Sequence, residues 1–211
     1  MKLKLYVEGG GDSAALKAAC RQGFTQFITN AGIGQRPRVV ACGSRGDAYD
    51  SYRTAIANGE DAVLLVDSEA PVAQQHQQGQ DSSEWQPWQH LKQRPGDSWD
   101  KPDGVPDTDC HLMVQCMESW LIADPATLKA FFGQGFRENQ LPATANSVES
   151  VGKTQVYSAL AKATKACKTK AQYGKGEHSF KLLGKIDPTK VTAACPWASR
   201  FVSELNKKMG A

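Results

Sequence analysis

Carboxylates stand where the strand-like apolar runs of this chain stop. Glu8 follows KLKLYV, Asp67 and Glu69 follow AVLLV, Glu118 follows HLMVQCM, and Asp12 lies one helical turn beyond Glu8. A lone buried carboxylate is costly or takes up a proton, so acids gathered at the edge of a sheet are tolerated chiefly when cations neutralise them. The chemistry this predicts is binding of a divalent metal. Magnesium takes hard oxygen ligands and commonly keeps waters while one or two carboxylates and substrate phosphates complete its octahedron, so Mg2+ or Mn2+ is the expected ion. Asp67 and Glu69 are two apart and point the same way if the strand continues, which makes them the natural pair. The candidate ligands are Glu8, Asp12, Asp67, Glu69 and Glu118. For phosphodiester hydrolysis the candidate catalytic groups are Glu8, Asp67 and Glu69, with Glu8 either a ligand or a general base.

Other residues suit the phosphate side of such a reaction. Gly9, Gly10 and Gly11 permit close backbone approach, and a helix starting near Ser13 would turn N–H groups toward them, a place where phosphate settles. Lys153, Lys175 and Lys181 are candidates to steady substrate phosphates. His178, within YGKGEHSFK, is a candidate proton donor or phosphate contact. Plainer roles compete for several of these. Asp12 suits an N-cap, Asp67 and Glu69 suit a turn before Pro71, and Glu118 suits the first turn of a helix that buries Trp120. The glycines do not make a dinucleotide fingerprint, because Ala14 stands where the last glycine would be needed.

The elements that must position these groups follow from periodicity. Leu3, Leu5 and Val7 alternate with Lys4 and Tyr6, as in a strand, and Leu16, Cys20, Phe24, Phe27 and Ile28 then recur at helical spacing. Residues 38–42 predict a second strand, followed by Tyr49, Tyr52 and Ile56 on a second helix. The unbroken apolar run 62–66 predicts a central parallel strand covered on both faces. Strand and helix alternation of this kind implies right-handed crossovers and an α/β fold, a mostly parallel sheet flanked by helices. Residues 70–110 lose the pattern apart from a short helical candidate at 85–91; Trp85, Trp88 and Trp99 argue against disorder and suit either an anchored loop or stacking on unpaired bases. A strand is expected over 111–117. Helices follow from Asp124-Pro125 and over 153–167, 187–194 and 197–208.

The 211 residues suffice for one substantial core, so a principal domain over 1–149, with a long insert at about 70–110, and a helical extension over 150–211 packed on the same core are expected. The charge is uneven: residues 1–149 carry 13 Lys+Arg against 19 Asp+Glu, net −6, and 150–211 carry 12 against 3, net +9. A basic segment beside an acidic site suits a polyanion such as nucleic acid, although lysine-rich helices are also simply well solvated. The six cysteines have neither zinc-ligand nor disulfide-framework spacing. No apolar segment is long enough for a signal peptide or membrane span, and a cytoplasmic protein is expected.

Taken in order, VEGGGD after the first strand and LLVDSE after the third resemble the Toprim domain of topoisomerases, bacterial primases and OLD-type nucleases. The block MESWLIADP is similar to a segment of small bacterial families of the OLD and RloB-like kind, which are often found near phage-defence ATPases. The resemblance spans about residues 1–125 and implies a Rossmann-like sheet. It also implies that Glu8 is the family glutamate, Asp67 and Glu69 the metal pair, Asp12 a further acid and Glu118 an additional ligand. Glu69 stands where an aspartate is usual. The implied function is a magnesium-dependent nuclease acting on DNA or RNA in anti-phage defence. Two alternatives stand beside it: a non-catalytic subunit docked on an ATPase partner, and a hydrolase of nucleotides or phosphate monoesters. Self-association into a homo-oligomer is compatible with each.

Overall fold

A computed structural model describes residues 3–143 and 147–210; Lys2, the start of the expected first strand, lies outside them. Four strands, β1 (Lys4–Gly10), β2 (Arg38–Gly43), β3 (Ala62–Asp67) and β4 (Cys110–Met113), form one sheet in the order β2-β1-β3-β4, every pair parallel. Each residue of β3 is buried, which explains its unalternating apolar run: helices cover both faces.

Helix α1 (Ala14–Asn30) links β1 to β2 across one face, and α2 (Arg45–Ala57) links β2 to β3 across the other. Ser13 caps α1 by accepting the Leu16 N–H, and Ser44 with Asp47 forms a capping box on α2. The first face packs Leu5, Val7, Val63 and Leu65 against Cys20, Phe24 and Phe27 of α1; the second packs Tyr6, Leu64 and Val66 against Tyr49 and Tyr52 of α2. Because the two crossovers leave on opposite faces, the chain changes winding direction between β1 and β3. A crevice opens outside the carboxyl ends of those two strands, the position at which doubly wound sheets take ligands.

The fourth strand is shorter than the sequence predicts. It ends at Met113, and residues 114–117, with a cis peptide bond between Val114 and Gln115, turn across the end of β3 instead of extending the sheet. There Ser68 N–H donates to the Met113 carbonyl at 3.0 Å and Glu69 N–H to the Gln115 carbonyl at 2.9 Å.

The insert is ordered and fastened. It carries short 3₁₀ turns and α3 (Pro87–Gln93), near the expected helix. Trp88 is buried against Tyr49 and Tyr52, Trp99 stacks on Tyr49 with ring centres 4.5 Å apart, and Trp85 packs on Trp197. These indoles are thus engaged by the protein itself.

After β4 come α4 (Glu118–Ile122), α5 (Pro125–Phe132), α6 (Lys153–Thr164), α7 (Lys175–Leu183), α8 (Pro188–Ala194) and α9 (Pro196–Lys208). Val156, Leu160, Leu182, Leu183 and Phe201 share the core that contains Leu5 and Val7, so the basic C-terminal third completes one face of the sheet. Helix α7 lies where the periodicity showed no element. It sits tight on α1 at Gly23, where an added Cβ would lie 2.6 Å from the Phe180 carbonyl oxygen. The six cysteines are free thiols. No helix among the described residues is long and apolar enough to cross a membrane.

Candidate metal centre

Glu8, Asp67 and Glu69 converge in that crevice, each offering a carboxylate oxygen within 4.8 Å of the other two. Parallel pairing sets Val7 beside Leu65, so the tips of β1 and β3 bring the first two acids together. Glu8 Oε2 accepts the backbone N–H of Asp67 at 3.0 Å. Asp67 is only 3% exposed; its Oδ1 accepts the Met117 N–H at 2.8 Å, so the turn at 114–117 that replaces the end of β4 serves to orient this carboxylate. Glu69 has a left-handed backbone, φ 62°, a conformation that costs a non-glycine residue on the order of 1–3 kcal/mol and that recurs at ligand sites. Its N–H bond to Gln115 maintains that turn, which brings the side chain back beside Asp67.

Two fixed cations flank the acids. Arg45, at the first position of α2, donates from Nε to the Asp67 carbonyl at 3.0 Å and lies 3.5 Å from Glu8 Oε2. Its guanidinium is gripped by Asp97 of the insert at 2.5 and 2.9 Å and covered by the Trp99 ring, 4.8 Å from ring centre to Cζ. Lys153, at the start of α6, lies with Nζ 3.4 Å from Asp67 Oδ2 and hydrogen-bonds Glu69 Oε1.

Burial pushes the Glu8 carboxyl above its ordinary range, against the Asp67 N–H bond and Arg45. Asp67 is pushed well up, first by burial and then by the nearby charges of Glu8 and Glu118. Burial opposes the Lys153 ammonium, but Asp67 and Glu69 outweigh it and hold its pKa above the ordinary value. Glu8 Oε1 and Glu69 Oε2 have no protein partner among the described residues. Three carboxylates that each bring a hard oxygen within 4.8 Å of the others, two of them keeping an oxygen without a partner, fit a magnesium ion.

A cavity of about 350 Å³ adjoins the acids, lined by Glu8, Gly9, Gly10, Gly11, Asp67, Glu118 and Lys175. At Gly10 (φ 92°) any Cβ would lie 2.8 Å from the Lys17 Cα, so only glycine lets β1 pass this close to α1. A larger groove of about 910 Å³ opens at the opposite edge of the sheet, lined by Glu60, Asp61 and Asp109, of which Glu60 is paired with Lys4 and Asp109 with Lys208.

The family described as Domain of unknown function (DUF4276) matches residues 7–206. The chain belongs to this family. The match runs from within β1 into α9, so the acids together with Lys153, Lys175 and Lys181 lie within the family domain. No curated protein and no solved structure matches the chain.

Other expected site residues are distributed differently. Asp12 is exposed in the loop before α1, outside the group of three, and Ser13 does the capping. Glu118 lines the cavity but is fully buried with both oxygens engaged: Oε2 accepts the Tyr157 hydroxyl at 2.8 Å, and Oε1 accepts the Tyr173 hydroxyl at 3.1 Å and the Ser179 hydroxyl at 3.4 Å. Burial, then the Glu118 charge, pushes both tyrosine pKa values up, so both hydroxyls keep their protons. Lys153 lies among the carboxylates, where it was expected to meet phosphate; Lys175 does face the cavity. Lys181 lies on a separate groove between α1 and α7. His178 is buried among Phe131, Phe132 and Tyr173, its Nδ1 accepts the Gly174 N–H at 3.0 Å, and burial lowers its pKa, so it closes the first turn of α7.

Proposed function

We propose that this protein is a cytoplasmic, magnesium-dependent phosphodiester hydrolase of the Toprim-like kind, a nuclease acting on DNA or RNA and serving in anti-phage defence. The observation that carries the proposal is the meeting of Glu8, Asp67 and Glu69 at the sheet's change of winding, beside a glycine-lined cavity that Lys175 enters. The order of these acids along the chain, and their resemblance to the Toprim pattern, support the substrate class.

In this reading Asp67 and Glu69 hold the ion and Glu8 completes the set. The metal supplies polarisation of a phosphoryl oxygen and a lowered pKa for bound water. Lys175 meets the negative charge of a phosphate, and the open backbone of Gly9 to Gly11 lets that phosphate approach. Where Glu8 does not ligate the ion, its carboxyl, pushed up by burial, is the group placed to accept a proton from water. Arg45 and Met117 N–H keep the two strand tips in place and take no part in bond making. The confined cavity also favours a second reading in the same chemistry, hydrolysis of a nucleotide or phosphate monoester. The subunit reading gains no free loop from the insert, which is held by Arg45, Tyr49 and Trp197.

The test is incubation of the purified protein with end-labelled DNA and RNA, and with a nucleoside monophosphate, in Mg2+ or Mn2+ and then with EDTA. Metal-dependent cleavage that Asp67→Asn abolishes is the expected result. Cleavage that survives Asp67→Asn would place the chemistry elsewhere, and release of phosphate from the monoester alone would select the second reading.

A further inference from the structure

We propose that the Lys153 ammonium is a built-in cation of this centre, holding one of two cation positions, so that the protein takes a single divalent ion. The inference rests on the metal-dependent reading above and concerns how many ions that site accepts.

The geometry is specific. Lys153 reaches from the start of α6 to lie between Asp67 Oδ2 and Glu69 Oε1, the two carboxylates that would otherwise bridge to a second ion. Its side chain is 23% exposed, so the ammonium is partly withdrawn from water into the group of acids. On the other flank Arg45 faces Glu8 Oε2. The oxygens left over, Glu8 Oε1 and Glu69 Oε2, have no hydrogen-bond partner among the described residues.

Charge points the same way. The Lys153 ammonium already meets Asp67 Oδ2 and Glu69 Oε1, so a second divalent ion placed against those two carboxylates would face a fixed cation there. Two-metal sites share carboxylates between their ions, and here the Lys153 nitrogen is the cation shared by Asp67 and Glu69. Lys153 is therefore a positioning residue, substituting a fixed charge for an exchangeable one.

The experiment counts ions on the full-length protein, without substrate. Mn2+ is titrated into wild type, Lys153→Met and Lys153→Arg, with bound ion read from the loss of the free Mn2+ paramagnetic resonance signal and folding checked by circular dichroism. The expected result is one ion per chain in wild type and in Lys153→Arg, and two in Lys153→Met. Two ions on wild type would overturn the inference, whatever the variants do. One ion of unchanged affinity on a folded Lys153→Met would overturn it as well. Asp67→Asn separates this failure from that of the underlying reading: if Mn2+ binds wild type and Asp67→Asn equally, or binds neither, the metal centre itself is wrong and the inference falls with it.

Discussion

Glu8 Oε2 accepts the backbone N–H of Asp67 at 3.0 Å, so the acid at one strand tip is clasped by the backbone of the next. The contact holds like charges near one another in a site that burial already makes hostile to anions. Glu8→Gln retains an oxygen for that N–H and removes one charge. The variant should gain about 1 kcal/mol, a melting point roughly 2–4 °C higher without metal, and lose at least tenfold in Mn2+ affinity. Calorimetry with a metal titration checks both, and a lower melting point would show that Glu8 is held by attraction alone.

Asp97 is the counter-ion that positions Arg45 over the site, and its side chain is only 4% exposed. Asp97→Ala would leave a buried guanidinium without its bidentate partner, at a cost of about 3–5 kcal/mol. Urea unfolding measures this, and Trp99 fluorescence should shift because its ring lies on the same guanidinium. An unchanged unfolding midpoint would mean that Glu8, the Asp67 carbonyl and solvent suffice for Arg45.

Around Glu118 the hydroxyls do the work that a cation does elsewhere. Tyr157→Phe removes one hydrogen bond from a fully buried carboxyl group, and should cost about 1–3 kcal/mol. A double-mutant cycle with Glu118→Gln should recover most of that loss as coupling. Additive effects would argue that Tyr157 acts by packing.

Glu149 supplies a pH dependence remote from the metal centre. Its carboxyl accepts the Trp197 N–H at 2.9 Å at the start of α9, and burial pushes its pKa from 4.5 up to about 8. Between those values the folded chain keeps the proton that the unfolded chain releases, so this group favours folding at the acid end and the advantage is lost as pH rises toward 8. Wild type should therefore lose stability relative to Glu149→Gln from pH 5 to pH 8, by on the order of a few kcal/mol, in urea titrations. Parallel profiles would mean that the helix N–H groups keep the carboxylate ionised in the fold.

Residues 1–69 could be read in advance because each strand was short and apolar and the first and third ended in acids, and parallel winding then put Glu8 beside Asp67. Partners were hidden where they arrive from distant sequence. Nothing about the capping segment GSRGD announces that Arg45 turns to the acids, since its direction is set by Asp97 and Trp99 of the insert. Lys153 was visible as one basic residue among many; only the packing of α6 decides that it faces inward. Glycines at 174 and 176 disguised α7, whose helix is stabilised by the burial of Leu182 and Leu183 and by close approach to Gly23. The strand after the insert was drawn too long because HLMVQCM is apolar apart from His111 and Gln115, and its second half is buried as a turn around Asp67.

Arg200 of α9 is buried, and its guanidinium donates to the carbonyls of Ser82, Asp107 and Cys110 at 2.7–2.9 Å. One side chain near the C-terminus thereby ties down both ends of the long excursion that carries Asp97 and Trp99. Shortening the protein before α9 would thus reach Arg45 and the acids from the far side of the molecule. The last helix cannot be treated as a dispensable tail when tags, fusions or fragments are designed.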